Sequence, residues 1–163
     1  MKDLTSQPAP SPVDVLTASG IQFTLHRHAH VRSTDDIRER TNLSIERSVK
    51  TIAFSVGPDW LVLAAVPGPA RIRYGQLATA IGVQRTALRP AQPAMLSAVG
   101  MEPGGVSPIC TDAKVTVVLD TTVPQLGLVY CGSGQPDSTI ELDTGDLVRL
   151  VPNLVVADIT SSG

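Results

Sequence analysis

Three stretches of this sequence hold residue types that can do chemistry. The first is "HRHAH", which places His26, His28 and His30 at alternate positions. On a strand, alternate side chains share a face, so the imidazoles can converge on a metal ion. No cysteine or carboxylate stands nearby at a standard ligand spacing, and an exposed polar strand end explains the run equally well. The second is "SVKTIAFSV", where Lys50 sits among Val49, Ile52 and Phe54. A buried ammonium is costly, so this lysine must reach a ligand, a partner or solvent. A lysine snorkelling from a sheet edge meets that requirement as well as a functional one does. The third is "MEPGGVSPIC", residues 101–110, with Gly104 and Gly105 adjacent. Such a loop can cradle a phosphate, line an oxyanion hole or simply connect two elements.

Other chemistries lack their signatures. Ser107, Ser133 and Ser138 lie outside any GxSxG elbow, and "GSG" at 132–134 reads as a turn. Cys110 and Cys131 form no CxxC pair and have no activating neighbour in sequence, which fits two reduced thiols rather than a zinc site or a nucleophile. No GxGxxG follows a strand and no GxxxxGK[ST] is present, so neither a dinucleotide nor a P-loop nucleotide is indicated.

The elements that must position these residues follow from periodicity and punctuation. Ser11 caps a short helix with Pro12 at its first position, Asp14 in its first turn and Gly20 at its stop. "IQFTL" alternates as a half-buried strand. "STDDIRERTN" reads as a second helix, and Ser44 caps a helical turn that runs into "VKTIAFSV". "GPDW" turns that strand into the apolar strand "WLVLAAVPG" as a hairpin. "YGQLATAIG" is a helix, "VQRTALR" a strand and "PAQPAMLSAVG" a helix ending at Gly100. "KVTVVLD", "LGLVYCG", "STIEL" and "LVVADI" are strands, with "TGDLVRLV" a helix before the last. The order implies an α+β fold: a single domain over residues 11–160, with a mixed, largely antiparallel sheet flanked by short helices. Residues 1–10 form a Pro-rich flexible tail.

The 163 residues suffice for one core; 42% are hydrophobic but only 3% aromatic, so Val, Leu, Ile and Ala must build it. A net charge of −2 excludes a long, sequence-blind nucleic-acid footprint. It leaves room for a small basic rim of Lys50, Arg71, Arg73, Arg85 and Arg89. The N-terminus lacks a secretory h-region and no run is long enough to span a membrane, which places the protein in the cytoplasm.

"VKTIAF", "VPGPARIRYGQLATAIG", "GMEPGGVSPI", "VVLD", "YCGSG" and "IELDTGDLVRLV" follow one another at a characteristic spacing. Together they resemble the YbaK/ProX family of aminoacyl-tRNA deacylases, freestanding relatives of the editing insertion domain of bacterial prolyl-tRNA synthetase. The resemblance runs from about Pro12 to Ile159. It implies a hydrolase that removes a wrong amino acid from the 3′ CCA end of a mischarged tRNA, without metal or cofactor. An aminoacyl-tRNA synthetase is a further partner it allows, and an inactive module that binds aminoacyl-tRNA or a synthetase is the alternative.

Lys50 corresponds to the family lysine and Thr51 follows it in the same context. The glycine-rich loop corresponds to Gly100 through Pro108. Backbone N–H groups of Gly104, Gly105 and Val106 are then the candidate oxyanion donors. His28, Thr51, Gly100, Ser107, Pro108, Ser133, Gly134 and Thr139 are the candidate substrate-binding residues. His28 matches a family histidine, and Ser33 or Thr34 a following threonine. The sequence departs from the family at "QPDSTIEL", where Thr139 stands near an expected aspartate and Asp137 is displaced.

Overall fold

A computed structural model describes residues 9–30 and 43–160. The helix expected over 33–42, and with it Ser33 and Thr34, lies outside the described residues, as do residues 1–8 of the expected tail. The first helix forms where its signals stand. In α1 (Pro12–Ser19) the Ser11 hydroxyl accepts from the Asp14 N–H at 3.1 Å, and the Asp14 carboxylate accepts from the Ser11 N–H at 3.2 Å. This reciprocal box satisfies two N–H groups that a bare helix end leaves open. Pro12 and Leu16 are buried beneath it.

The hairpin is the centre of the molecule. β2 (Val49–Val56) and β3 (Trp60–Pro67) pair antiparallel across a turn in which Gly57 takes φ 67°. Leu61 through Val66 are all buried, because both faces of β3 are covered. Leu61, Leu63 and Ala65 join the main core, while Val62, Ala64 and Val66 join a smaller cluster on the opposite face.

β4 (Leu88–Pro90) adds to the free edge of β2, and β5 (Val115–Asp120) and β8 (Leu154–Ala157) add in parallel beyond β3. The order is β4-β2-β3-β5-β8. Instead of one sheet there are two. β1 (Thr24–Arg27), β7 (Ser138–Asp143) and β6 (Leu128–Gly132) make a separate antiparallel sheet in the order β1-β7-β6. Residues of both sheets meet in the main core, among them Leu63, Val117, Val129 and Ile140. A parallel bridge between Ser48 and Tyr130 joins the sheets at the start of β2.

The helices are short. α2 (Tyr74–Ile81) buries Leu77 and Ala78 against the smaller cluster and stops at Gly82, φ 77°. α3 (Pro93–Ser97) and α4 (Thr144–Leu150) bury Leu96 and Leu147 in the main core. The architecture is mixed and largely antiparallel with flanking helices, as expected.

Three elements differ in extent. "VQRTALR" is a 3-10 turn over Arg85–Ala87 followed by the three-residue β4. Pro90 cannot donate to a ladder, and β4 is an edge strand. β1 starts at Thr24 rather than Ile21: its register with β7 runs from Thr24–Glu141 to Arg27–Ser138, and Ile21 and Phe23 pack on the core without a ladder. α3 ends at Ser97, three residues short of the expected Gly100 stop.

One buried carboxylate ties the C-terminal segment down. Asp120 is fully buried and accepts from the N–H of Ile159 at 2.9 Å and of Thr122 at 3.1 Å. Burial alone would raise its pKa, but the hydrogen bonds from Thr122, Ile159 and Thr160 outweigh it and hold the pKa below the ordinary carboxylate value. A depressed folded pKa contributes stability that is present above the unfolded value of about 4 and lost as pH falls through the folded one. Asp120→Ala leaves the buried Ile159 N–H and the partly buried Thr122 N–H without this acceptor and is expected to lower stability by about 1–3 kcal/mol at neutral pH. Urea unfolding between about pH 7 and 3 checks both points: the wild-type advantage over the variant should shrink at the acid end.

Candidate active site

The glycine-rich loop is held against the "GSG" turn by backbone alone. The Glu102 N–H donates to Gly134 O at 2.8 Å, and the Gly134 N–H donates to Gly105 O at 2.7 Å. The chains are so close that a Cβ on Gly105 would lie 2.4 Å from the Gln135 nitrogen, and one on Gly132 would lie 2.0 Å from Val106 O. Only glycine permits this approach.

Within the loop the three expected donors are not equivalent. The Gly105 N–H donates to Glu102 O at 2.9 Å, closing a tight turn, so Gly105 is not an available oxyanion donor in this conformation. Its part is the close approach to the second loop. The N–H groups of Gly104 and Val106 have no acceptor among the described residues. Gly104, exposed and at φ 86°, takes the left-handed conformation that lets the loop turn there.

Ser107 is fully buried, and its hydroxyl accepts from the Ile109 N–H at 3.1 Å across buried Pro108. These two residues brace the loop. Ser133 is also buried; its hydroxyl lies 2.7 Å from the Ser138 hydroxyl and accepts from the Gln135 N–H at 3.1 Å. Gly134, at φ 96°, would bring a Cβ to 2.8 Å from the Pro12 ring, and Gly100, at φ 77°, one to 2.8 Å from Pro10 O. Gly100, Ser107, Pro108, Ser133 and Gly134 therefore act on the architecture of the loop pair.

Thr139 pairs with Gly132 in the ladder and carries a buried hydroxyl 2.8 Å from His28 Nε2. His28 Nδ1 lies 2.7 Å from Ala29 O. A carbonyl only accepts, so in the neutral ring Nδ1 carries the proton and Nε2 accepts from the Thr139 hydroxyl. His26 reaches a different partner, Glu141 Oε1 at 2.7 Å. Sequence spacing had no signal for that carboxylate, which is distant in the chain and arrives through the pairing of β1 with β7.

Lys50 is half-buried on β2, opposite Val66. Its ammonium makes no hydrogen bond or ion pair with a described residue. Burial pushes its pKa below the ordinary lysine value, and the Arg71 guanidinium lowers it further. The parallel bridge from Ser48 to Tyr130 sets the start of β2 alongside β6, the strand that ends at Gly132 against the Val106 backbone. Thr51 faces the other way, into the main core, where its hydroxyl is buried with no hydrogen-bond partner. The remaining arginines divide. Arg71 lies near Lys50, Arg73 and Arg85 share a groove beside α2, and Arg89 is exposed on β4 opposite Ser55.

The model of the aminoacyl-tRNA editing domain family matches residues 28–150. The chain belongs to that family. Solved structures share its fold. A proposed trans-editing enzyme for prolyl tRNA synthetase is 22% identical with a TM-score of 0.76, covering 96% of this chain and 100% of its own. The hypothetical protein APE2540 is 21% identical with a TM-score of 0.74, covering 90% and 96%. A computationally designed epitope scaffold is 21% identical with a TM-score of 0.76, covering 95% and 99%. The loop pair, β2 and β7 lie inside the matched span, and β1 ends just before it.

The two thiols are poor nucleophiles. Burial raises the Cys110 pKa above its ordinary value, and it pushes Cys131 up to about 12. Both stay protonated at neutral pH, so Cys110→Ala and Cys131→Ala are expected to retain turnover per folded molecule. Gly105→Ala is expected to act otherwise. Its methyl meets backbone rather than a yielding side chain, so it should cost about 1–3 kcal/mol and part the two loops. A lowered melting temperature together with lost activity, against unchanged activity in the cysteine variants, is the result to look for.

Proposed function

We propose that the protein is a trans-acting deacylase that hydrolyses the ester joining a wrong amino acid to the 3′ end of a tRNA. The observation that carries this reading is the pair of unoccupied N–H groups, Gly104 and Val106, on a loop braced by a second loop. Water attacks the ester carbonyl carbon and yields a tetrahedral oxyanion. Two fixed N–H donors favour that charge without reorganising. The bond from carbon to the ribose oxygen then breaks, that oxygen takes a proton, and free amino acid and tRNA leave. The ester is already activated, so positioning a water, with help from the neighbouring ribose hydroxyl, replaces a protein nucleophile.

Lys50, a half-buried cation on β2, holds the terminal phosphate or the carbonyl oxygen in this reading. The Thr139–His28 pair is a substrate contact, while Thr51, whose hydroxyl turns into the core, stands behind Lys50 in the strand. No cofactor is required by this chemistry. Residues 11–160 form the editing domain in this reading, and residues 1–10 its tail. No described helix is long and apolar enough to cross a membrane. A cytoplasmic setting, beside the synthetase whose errors are corrected, accords with the reading. A binding module without turnover is the competing reading, favoured by Thr139 standing where relatives carry an acid.

Deacylation of a panel of mischarged tRNAs separates the two. Lys50→Ala should fold normally and lose turnover at least ~100-fold, the scale of a lost transition-state contact. Wild-type turnover in that variant removes Lys50 from the mechanism. Arg71 adds a second test. Its charge lowers the Lys50 pKa, so Arg71→Gln should raise it and shift the alkaline limb of the pH–rate profile to higher pH.

A further inference from the structure

The net negative charge of the chain conceals a segment of opposite character. Between Trp60 and Met101 there is no Asp or Glu, but there are four arginines, Arg71, Arg73, Arg85 and Arg89. All four are exposed, and none of their side chains forms a hydrogen bond or ion pair with a described residue. Folding places the part of this segment that carries the arginines, residues 71–89, beside the smaller core cluster of the five-stranded sheet, where α2 covers that cluster and β4 forms the edge.

Two grooves open there. One, of about 700 Å³, is lined by Ile72, Arg73, Gln76, Arg85 and Asp158 among others. The other, of about 360 Å³, is lined by Phe54, Thr86, Leu88 and Pro90. Tyr74 and Arg85 line both and so stand between them. Tyr74 is 46% exposed, one of few large apolar side chains so open. Its ring meets buried Phe54 edge-on at 5.7 Å, which orients it without covering it.

An oriented, open aromatic ring between guanidinium groups is the combination that binds single-stranded nucleic acid. The ring stacks a base and the cations meet the backbone. We propose that the Tyr74–Arg85 ridge is the docking surface for the single-stranded 3′ end of an RNA, with a base stacked on Tyr74 and phosphates at Arg73 and Arg85. This rests on the deacylase reading, and it extends the site. Phe54 lies four residues along β2 from Lys50 on the same side of the strand, about 13 Å away at roughly 3.3 Å per residue. With the terminal ester at Lys50, the strand would run past Arg71 towards the ridge.

The test uses the full chain with two substrates. Anisotropy titrations over a range of salt follow a labelled single-stranded RNA ending in CCA, and a separate assay follows hydrolysis of an aminoacyl ester of adenosine, which carries no phosphate. Tyr74→Ala should weaken RNA binding roughly 5- to 150-fold with an unchanged salt slope, and Tyr74→Phe should restore it. Arg85→Ala should make the slope of log affinity against log salt shallower by about 0.7. Both variants should hydrolyse the adenosine ester at the wild-type rate. Wild-type RNA binding in Tyr74→Ala and Arg85→Ala overturns the proposal, and so does equal competition by polyglutamate, which would mark the face as a site for an acidic protein segment. Failure of the deacylase reading looks different: no ester is hydrolysed by the wild type, while RNA binding still responds to Tyr74.

Discussion

The structure around the candidate site depends on one close contact between two backbones. Glu102 and Gly134 exchange hydrogen bonds with the opposite loop at 2.8 and 2.7 Å, and no side chain intervenes. The contact exists because Gly105 and Gly132 have no Cβ to keep the chains apart. It has two consequences. The Gly105 N–H is consumed in the turn, which leaves Gly104 and Val106 as the free donors. The turn after β6 is anchored, which sets Thr139 and, through it, His28 beside the same loops. Buried hydroxyls complete the brace: Ser107 holds one loop and Ser133 the other, each by bonds within its own loop.

β2 then distributes roles by strand alternation. Val49, Thr51 and Ala53 turn towards the main core, while Lys50, Ile52 and Phe54 turn to the opposite face, where Phe54 joins the smaller cluster. The adjacent "KT" pair therefore serves two different environments. Thr51 presents an unpaired buried hydroxyl to one side, and Lys50 a destabilised cation to the other. The apolar β3 beside them is what makes this possible. Its uninterrupted burial fixes the plane of the sheet, so that neighbouring residues of β2 are committed to opposite faces.

Charge follows the same division. The acid-free segment from Trp60 to Met101 supplies β3 and then carries its four arginines beside the smaller core cluster, and the editing-domain match spans all of it. Beside the three-stranded sheet some polar groups are instead paired with one another: His26 with Glu141, and Arg47 over the Tyr130 ring at 5.2 Å. The distribution of charge over the surface therefore differs from what the net charge alone conveys.

Local signals were legible directly from the sequence. The Ser11 capping box, the Gly20 and Gly82 stops, the β2–β3 hairpin and the α+β class are all short-range matters of propensity, period and punctuation. Element ends were less legible wherever a partner decides them. β1 is paired with β7 only from Thr24 on, and β4 is shortened at its start by the turn over Arg85–Ala87. The Lys50 strand and the glycine loop were recognisable as a pair by their motifs. Tertiary structure alone decided that there are two sheets rather than one, that Gly105 spends its N–H on Glu102, and that Glu141, Asp120 and the Tyr74–Arg85 ridge matter. Each of these is a contact between residues far apart in the chain, or a hydrogen bond with one of several available acceptors. Composition and spacing carry no term for either, because which groups meet is settled only when the sheets pack and every buried donor finds its partner.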